Sequence, residues 1–152
     1  MNAYSLELLK NHLQNGVIAL DIDSGSGYLC VAMFLMMKSQ QSKGIELEHV
    51  PELVIKSLNN LSIQFLQLIV KGQANLNYKR RWKIRIQIRR SLSSNICQCS
   101  SRNYTQKLID QLDKGGRMVI PVGKGNQVFQ VIDKDENGNL IFKIFQELDM
   151  FL

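Results

Sequence analysis

Ala19-Leu20-Asp21-Ile22-Asp23-Ser24-Gly25-Ser26-Gly27-Tyr28-Leu29 is the stretch on which the fold turns. Residues 17–22 are short and nearly continuously apolar, the pattern of a strand buried on both faces of a parallel sheet. Gly25 and Gly27 follow at once, and residues 28–37 then form an unbroken apolar run. Ten residues are half of the ~20 that a membrane span requires, so this run reads as a buried helix. The order is therefore strand, glycine turn, helix. Glycine in such a turn lets the backbone approach a ligand closely, and the first helical turn offers free N–H groups beside it. A nucleotide-like ligand fits there, as does a purely structural connection.

Upstream, Leu6, Leu9 and Leu13, with Leu8 beside them, fall at the spacing of an amphipathic helix that Asn15-Gly16 would stop. Downstream, residues 44–47 are a candidate second strand that ends near Glu46 and Glu48. Pro51 suits a helix's first turn, and Leu53, Val54 and Leu58 carry that helix to Asn59-Asn60. Residues 65–70 read as a third strand. A short helix over 105–112 bears Leu108, Ile109 and Leu112 and is closed by Lys114-Gly115-Gly116. Residues 118–121 are an apolar strand, and 127–132 and 140–145 flank a hairpin signalled by Asn137-Gly138. The alternation predicts an α/β fold, a mainly parallel sheet with a C-terminal antiparallel hairpin, in one domain over 1–152. Tyr28, Met33, Phe34, Met36 and Met37 are assigned to the core, and His12 to a helix surface.

The 152 residues are 45% hydrophobic and 21% charged, which excludes wholesale disorder, collagen and coiled coil. Cys30, Cys97 and Cys99 are too few for a disulfide framework, so a reducing, cytoplasmic location is expected. Residues 2–13 lack the pattern of a cleaved leader. The one-residue spacing in Cys97-Gln98-Cys99 is short for zinc, and no metal is expected. The net charge of +6 is local: residues 71–102 hold nine Lys+Arg and no acid, +9, while the other 120 hold ten Lys+Arg and thirteen acids, −3. Lys79 to Arg90, around Trp82, suits a nucleic-acid backbone or a charged edge strand. A binding module or inactive fragment that meets nucleic acid through Lys79–Arg90 is the alternative functional reading.

About twenty-five residues beyond the glycine turn, an acid at the end of the next strand is placed to accept hydrogen bonds from a ribose diol, and Glu46 and Glu48 both qualify. Together with the turn, the blocks Met1-Asn2-Ala3-Tyr4-Ser5-Leu6-Glu7-Leu8-Leu9, His49-Val50-Pro51-Glu52-Leu53-Val54 and 108–123 (Leu-Ile-Asp-Gln-Leu-Asp-Lys-Gly-Gly-Arg-Met-Val-Ile-Pro-Val-Gly) resemble, in order and spacing, protein-L-isoaspartate O-methyltransferases. These belong to the class I S-adenosylmethionine-dependent methyltransferases. The resemblance spans about 1–70 and 105–145 and implies a Rossmann-like sheet that binds S-adenosyl-L-methionine. It further implies methylation of the α-carboxyl of isoaspartyl residues in damaged proteins, whose ester collapses to a succinimide that can reopen to aspartate.

By the same resemblance, Asp21, Ser24, Gly25 and Gly27 form the methionine side of the cofactor site. Glu48 takes the ribose if the comparison is anchored on His49–Val54, and Glu46 if it is anchored on Gly44-Ile45. His49 is expected beside the cofactor loop rather than as a base, and no catalytic side chain is assigned. The expected substrate is an isoaspartyl protein or peptide, met by a monomer away from any membrane. Three departures from the family pattern stand out. Asp23 occupies the first glycine position of the turn, where a carboxylate is expected to crowd it and weaken binding. The family's Ser/Thr-rich substrate loop precedes the Met1–Leu9 block, so no residue here is expected to take its role. The basic segment 71–104 replaces a Gly-Asp-Gly turn, an acidic stretch and an alanine run. Reading 95–104 one nucleotide out of frame, with AGC-type serine codons, yields Ile-Tyr-Val-Asn-Ala-Ala-Ala-Glu-Ile, close to the family's strand and alanine run; sequencing the transcript tests that expectation.

Overall fold

The computed structural model describes residues 2–14, 16–37, 41–70, 76–80, 92–97, 102–122 and 128–146, with 61–70, 76–80, 92–97, 102–105 and 146 described by backbone alone. Helix α1 (Asn2–Leu9) runs into a 3₁₀ turn (Lys10–His12). Strand β1 (Ile18–Ile22), helix α2 (Tyr28–Met37), strand β2 (Lys43–Glu48), helix α3 (Pro51–Val70) and strand β3 (Leu76–Arg80) follow. Strand β4 (Leu92–Cys97), helix α4 (Arg102–Gln111) and strands β5 (Leu112–Val122), β6 (Val128–Lys134) and β7 (Leu140–Gln146) complete the described chain. These strands make one sheet in the order β3-β2-β1-β4-β5-β6-β7. β1 to β5 are parallel, and β6 and β7 are added antiparallel. The expected α/β class, parallel sheet and late hairpin hold.

The period of two along a strand sorts the core into two layers. Ile18, Leu20 and Ile22 of β1, Ile45 and Leu47 of β2, Met118 and Ile120 of β5 and Ile132 of β6 pack with Leu108 and Ile109 of α4 on one face. Ala19, Val119, Phe129 and Val131 pack on the opposite face with Leu9 of α1 and with Leu29, Met33, Phe34 and Met37 of α2. Each large side chain buried this way contributes roughly 1.5–3 kcal/mol. The alternation carries a second consequence. Asp21 shares the face of Ala19, and Glu46 and Glu48 share the face of Gly44, so three acids are directed toward the α1–α2 layer.

Several expectations are corrected. Residues 65–70 are helical, because α3 continues through Asn59-Asn60 to Val70. A six-residue apolar run does not distinguish a strand from a buried helix, and asparagine alone does not stop one. The third strand is Leu76–Arg80, which contains the start of the basic run. Tyr28 is 59% exposed and not core. Helix α2 is apolar all round, so its sequence does not say which side faces out; Tyr28 and Leu35, seven residues apart, share the outer side. Met36 is only partly buried. His12 is half-buried rather than on an open surface, with Nδ1 3.1 Å from the carbonyl oxygen of Gly115. β5 begins at Leu112, earlier than expected, but its register against β4 shifts between Leu112 and Arg117 where Gly115 adopts φ +74°. Most of the Lys79–Arg90 run, together with Gln98 and Cys99, lies outside the described residues. Among the described residues no helix is long and apolar enough to cross a membrane.

Candidate functional site

The carboxyl end of β1 leads into the glycine turn, and the turn is fastened to β2. The backbone N–H groups of Asp23 and Ser24 donate to the Leu47 carbonyl at 2.8 and 3.3 Å. Gly27 N–H donates to Ser24 O at 3.0 Å, and Val31 N–H to Gly27 O at 3.2 Å, which starts α2. Asp23, Gly25 and Gly27 all adopt left-handed φ, at 60°, 57° and 79°. Asp23 is the sole non-glycine residue among the described ones to do so. A non-glycine residue there pays a local steric cost, which agrees with its expected place at a glycine position.

Glu48 is the buried anchor of the turn. Its Oε2 accepts from Gly25 N–H at 2.8 Å, and its Oε1 accepts from the N–H groups of His49 and Val50 at 2.7 and 2.9 Å. One carboxylate thus ties the glycine turn to the start of α3. Glu46 lies two residues back on the same strand face, and its Oε2 accepts from Ser57 Oγ–H at 2.9 Å. A Cβ on Gly27 would stand 2.3 Å from Ser57 Oγ and 2.8 Å from Glu46 Oε1, so only glycine fits where the turn closes on β2 and α3. Asn60 Nδ2 donates to Ser26 O at 3.2 Å. Ser57 and Asn60 brace the turn from α3 and were not anticipated; their three-residue spacing on one helix face was the available signal.

The electrostatics are unusual. Asp21 is fully buried and lies opposite Glu46 in the β1–β2 register. Neither of its oxygens has a hydrogen bond of normal geometry among the described residues; the nearby Cys30 amide in the first turn of α2 gives only partial support. Burial first, and then the charges of Glu46, Asp23 and Glu48, push the Asp21 carboxyl well above the usual carboxylate range. Burial also raises Glu46, against the opposing hydrogen bond from Ser57. The Cys30 thiol beside Glu46 is likewise pushed up by burial. Ser24 Oγ is a further buried polar atom without a hydrogen-bond partner among the described residues.

All seven candidate residues therefore converge. Asp21, Ser24, Gly25 and Gly27 form the turn and its floor, Glu46 and Glu48 form the β2 wall, and half-exposed His49 lies at the edge. His49 Nδ1 is 3.3 Å from both Asp23 Oδ1 and Glu48 Oε1. Ligand-type atoms of Asp23, Glu48 and His49 lie within 4.8 Å of one another. Chemically, buried acceptors beside the amino end of a helix suit a ligand that brings its own donors.

The family model of protein-L-isoaspartate(D-aspartate) O-methyltransferase matches residues 1–81 and 94–151. The chain belongs to this family. The match extends into both ends of the basic segment and leaves only 82–93 outside, which narrows the departure expected over 71–104. The protein-L-isoaspartate O-methyltransferase of Triticum aestivum is 37% identical over 139 residues, covering 91% of this chain and 60% of its own length. That of Caenorhabditis elegans is 35% identical over 157 residues, covering 97% and 65%. A Plasmodium falciparum protein described as a protein-L-isoaspartate O-methyltransferase, crystallised in complex with S-adenosyl-L-homocysteine, superposes with a TM-score of 0.81 at 29% identity over 96% of this chain and 70% of that one. The chain spans about three fifths of the length of the Triticum aestivum relative and less than half of that of one Arabidopsis thaliana relative.

Proposed function

We propose that this member of the family binds S-adenosyl-L-methionine at the glycine turn and methylates the α-carboxyl of L-isoaspartyl residues in damaged proteins. The observation that carries the reading is Asp21: a fully buried carboxyl group without a well-formed hydrogen bond, on the strand that leads into the turn, where Ser24 Oγ is likewise buried and unmatched among the described residues. A buried acceptor left in this state costs about 1–3 kcal/mol, which an incoming donor recovers. The ligand's ammonium and ribose hydroxyls are such donors, so the residues fit the group. The S-adenosyl-L-homocysteine complex of the Plasmodium relative supports the same reading.

In this proposal Asp21, Ser24, Gly25 and Gly27 hold the methionine end. Glu48 accepts from the ribose, because it stands at the end of β2, while Glu46 braces Gly27 from behind with Ser57. His49 flanks the adenosine side. S-adenosyl-L-methionine supplies, when bound, an electrophilic methyl group. The chain contributes orientation and exclusion of water, which suffice where a carboxylate is itself the nucleophile. The protein is read as one domain, monomeric and cytoplasmic, acting on isoaspartyl proteins rather than on membranes or nucleic acid.

Calorimetric titration of the chain with S-adenosyl-L-methionine is the direct test, followed by methylation of an isoaspartyl peptide. Saturable binding that Asp21→Ala abolishes is expected; a folded chain with no binding would remove the reading. The local charge of +9 over 71–102 favours a second reading, phosphate binding through Lys79–Arg90. Its signature is affinity for a single-stranded oligonucleotide that falls steeply with added salt.

A further inference from the structure

We infer that Asp23 is a specificity-determining residue, which makes the turn prefer the positively charged sulfonium substrate over its uncharged thioether product. This rests on the cofactor reading above and concerns the balance between the two forms of that ligand. Methyl transfer to a carboxylate oxygen breaks the S–CH₃ bond, forms an O–CH₃ bond and leaves the bonding pair on sulfur. S-adenosylmethionine and S-adenosylhomocysteine therefore share their ammonium, carboxylate, ribose and adenine, and differ by one methyl and one positive charge. Whatever Asp23 does to the shared carboxylate cancels in the ratio of the two affinities. Its attraction for the sulfonium remains.

The surroundings make that attraction count. Asp21, Glu46 and Glu48 already line one sheet face at the turn and are buried. Burial and mutual repulsion push the carboxyls of Asp21 and Glu46 toward the neutral form. Asp23 is the outermost acid of the group, on the turn itself, with 29% of its side chain exposed. Its backbone is held in a left-handed conformation that a glycine would adopt more cheaply, so the carboxylate stands at this point at a steric cost. His49 Nδ1 lies 3.3 Å from Asp23 Oδ1 and 3.3 Å from Glu48 Oε1.

The test is calorimetric titration of the whole chain with S-adenosylmethionine and with S-adenosylhomocysteine, for the native protein, Asp23→Asn and Asp23→Gly. Asparagine tolerates left-handed φ and removes the charge alone, whereas glycine removes charge and strain together. The native chain is expected to bind the sulfonium form more tightly, and the Kd ratio to fall about tenfold in both variants, the scale of one partly screened charge. Added salt should shrink the native ratio and leave the variants' ratios nearly unchanged. Equal affinities in the native chain, an unchanged ratio in Asp23→Asn, or a ratio lost in Asp23→Gly alone would each overturn the inference while leaving the cofactor site standing. Binding of neither ligand by native chain and variants that still melt cooperatively would overturn both.

Discussion

Two charged pairs on the same face of the same sheet are built in opposite ways. Asp21 faces Glu46 across β1 and β2, and Arg117 faces Asp133 across β5 and β6, each pair directly in register. The second pair is complete: Arg117 Nε and Nη2 donate to the two Asp133 oxygens at 2.5 and 2.8 Å, and Nη1 donates to the Leu8 carbonyl at 2.7 Å, which pins the end of α1. Lys143 Nζ adds a contact at 3.2 Å. Partial burial pulls the Asp133 carboxyl upward, but Arg117 and Lys143 outweigh it and hold it below the usual range. The first pair sets like charges opposite each other, an arrangement that destabilises a sheet. One pair serves the fold, and the other is a local cost that the proposed ligand would relieve.

The largest effect that could break this comparison is expected from Asp21→Asn. It should raise the stability of the ligand-free chain by about 1–3 kcal/mol, because an amide carries no charge into the buried position. It should also weaken S-adenosylmethionine binding by about a hundredfold, on the order of two lost charge-assisted hydrogen bonds. Urea denaturation and calorimetry read the two halves, and a loss of ligand-free stability would mean that Asp21 is structurally paired after all. Arg117→Ala should do the reverse. Stability falls by about 2–3 kcal/mol as Asp133 and the Leu8 carbonyl lose their donor, while cofactor affinity stays within about threefold.

Glycine substitutions sharpen the contrast further. Gly27→Ala presses a methyl group against Ser57 and Glu46 and should cost about 2 kcal/mol. Gly115→Ala, near the complete pair, meets only the flexible end of Glu136, so left-handed strain alone remains, about 1 kcal/mol. Thermal melts of the two variants should rank in that order, and the reverse ranking would deny that the turn closes tightly on β2.

The smallest effect is in the pH profile. Asp21 and Glu46 have raised values in the folded state, so their contribution is full below the ordinary carboxylate range and is lost as pH rises through the raised values. Asp133 is lowered, so its contribution is present above that range and is lost as pH falls through its folded value. Urea midpoints from pH 3 to 8 should therefore decline at both ends. Asp21→Asn should flatten the alkaline limb and Asp133→Asn the acid limb, and an effect on the opposite limb would contradict the assignment.

The glycine turn was legible because its signal is local: an apolar run, glycines and a second apolar run between residues 17 and 37 fix a strand, a reversal and a helix. The hairpin at Asn137-Gly138 was legible for the same reason, and Gly138 adopts φ +92° there. Residues 65–70 and Tyr28 were misread because hydrophobicity alone carries no period in a short or uniformly apolar run. The brace of Ser57 and Asn60 on the turn, the seat of His12 against Gly115 and the clamp of Arg117 on Leu8 were not legible at all. Their partners lie between 11 and 109 residues away.

By itself, then, the sequence determined the α/β order, the strand–turn–helix that frames the site, and the acids of β2 that alternate onto one face. Backbone propensity and side-chain periodicity act over a few residues and are written there. Only the tertiary structure decided that Asp21 meets Glu46 while Arg117 meets Asp133. Strand register and helix docking bring distant residues together, and the resulting burial sets whether a charge is paired, neutralised or left waiting for a ligand.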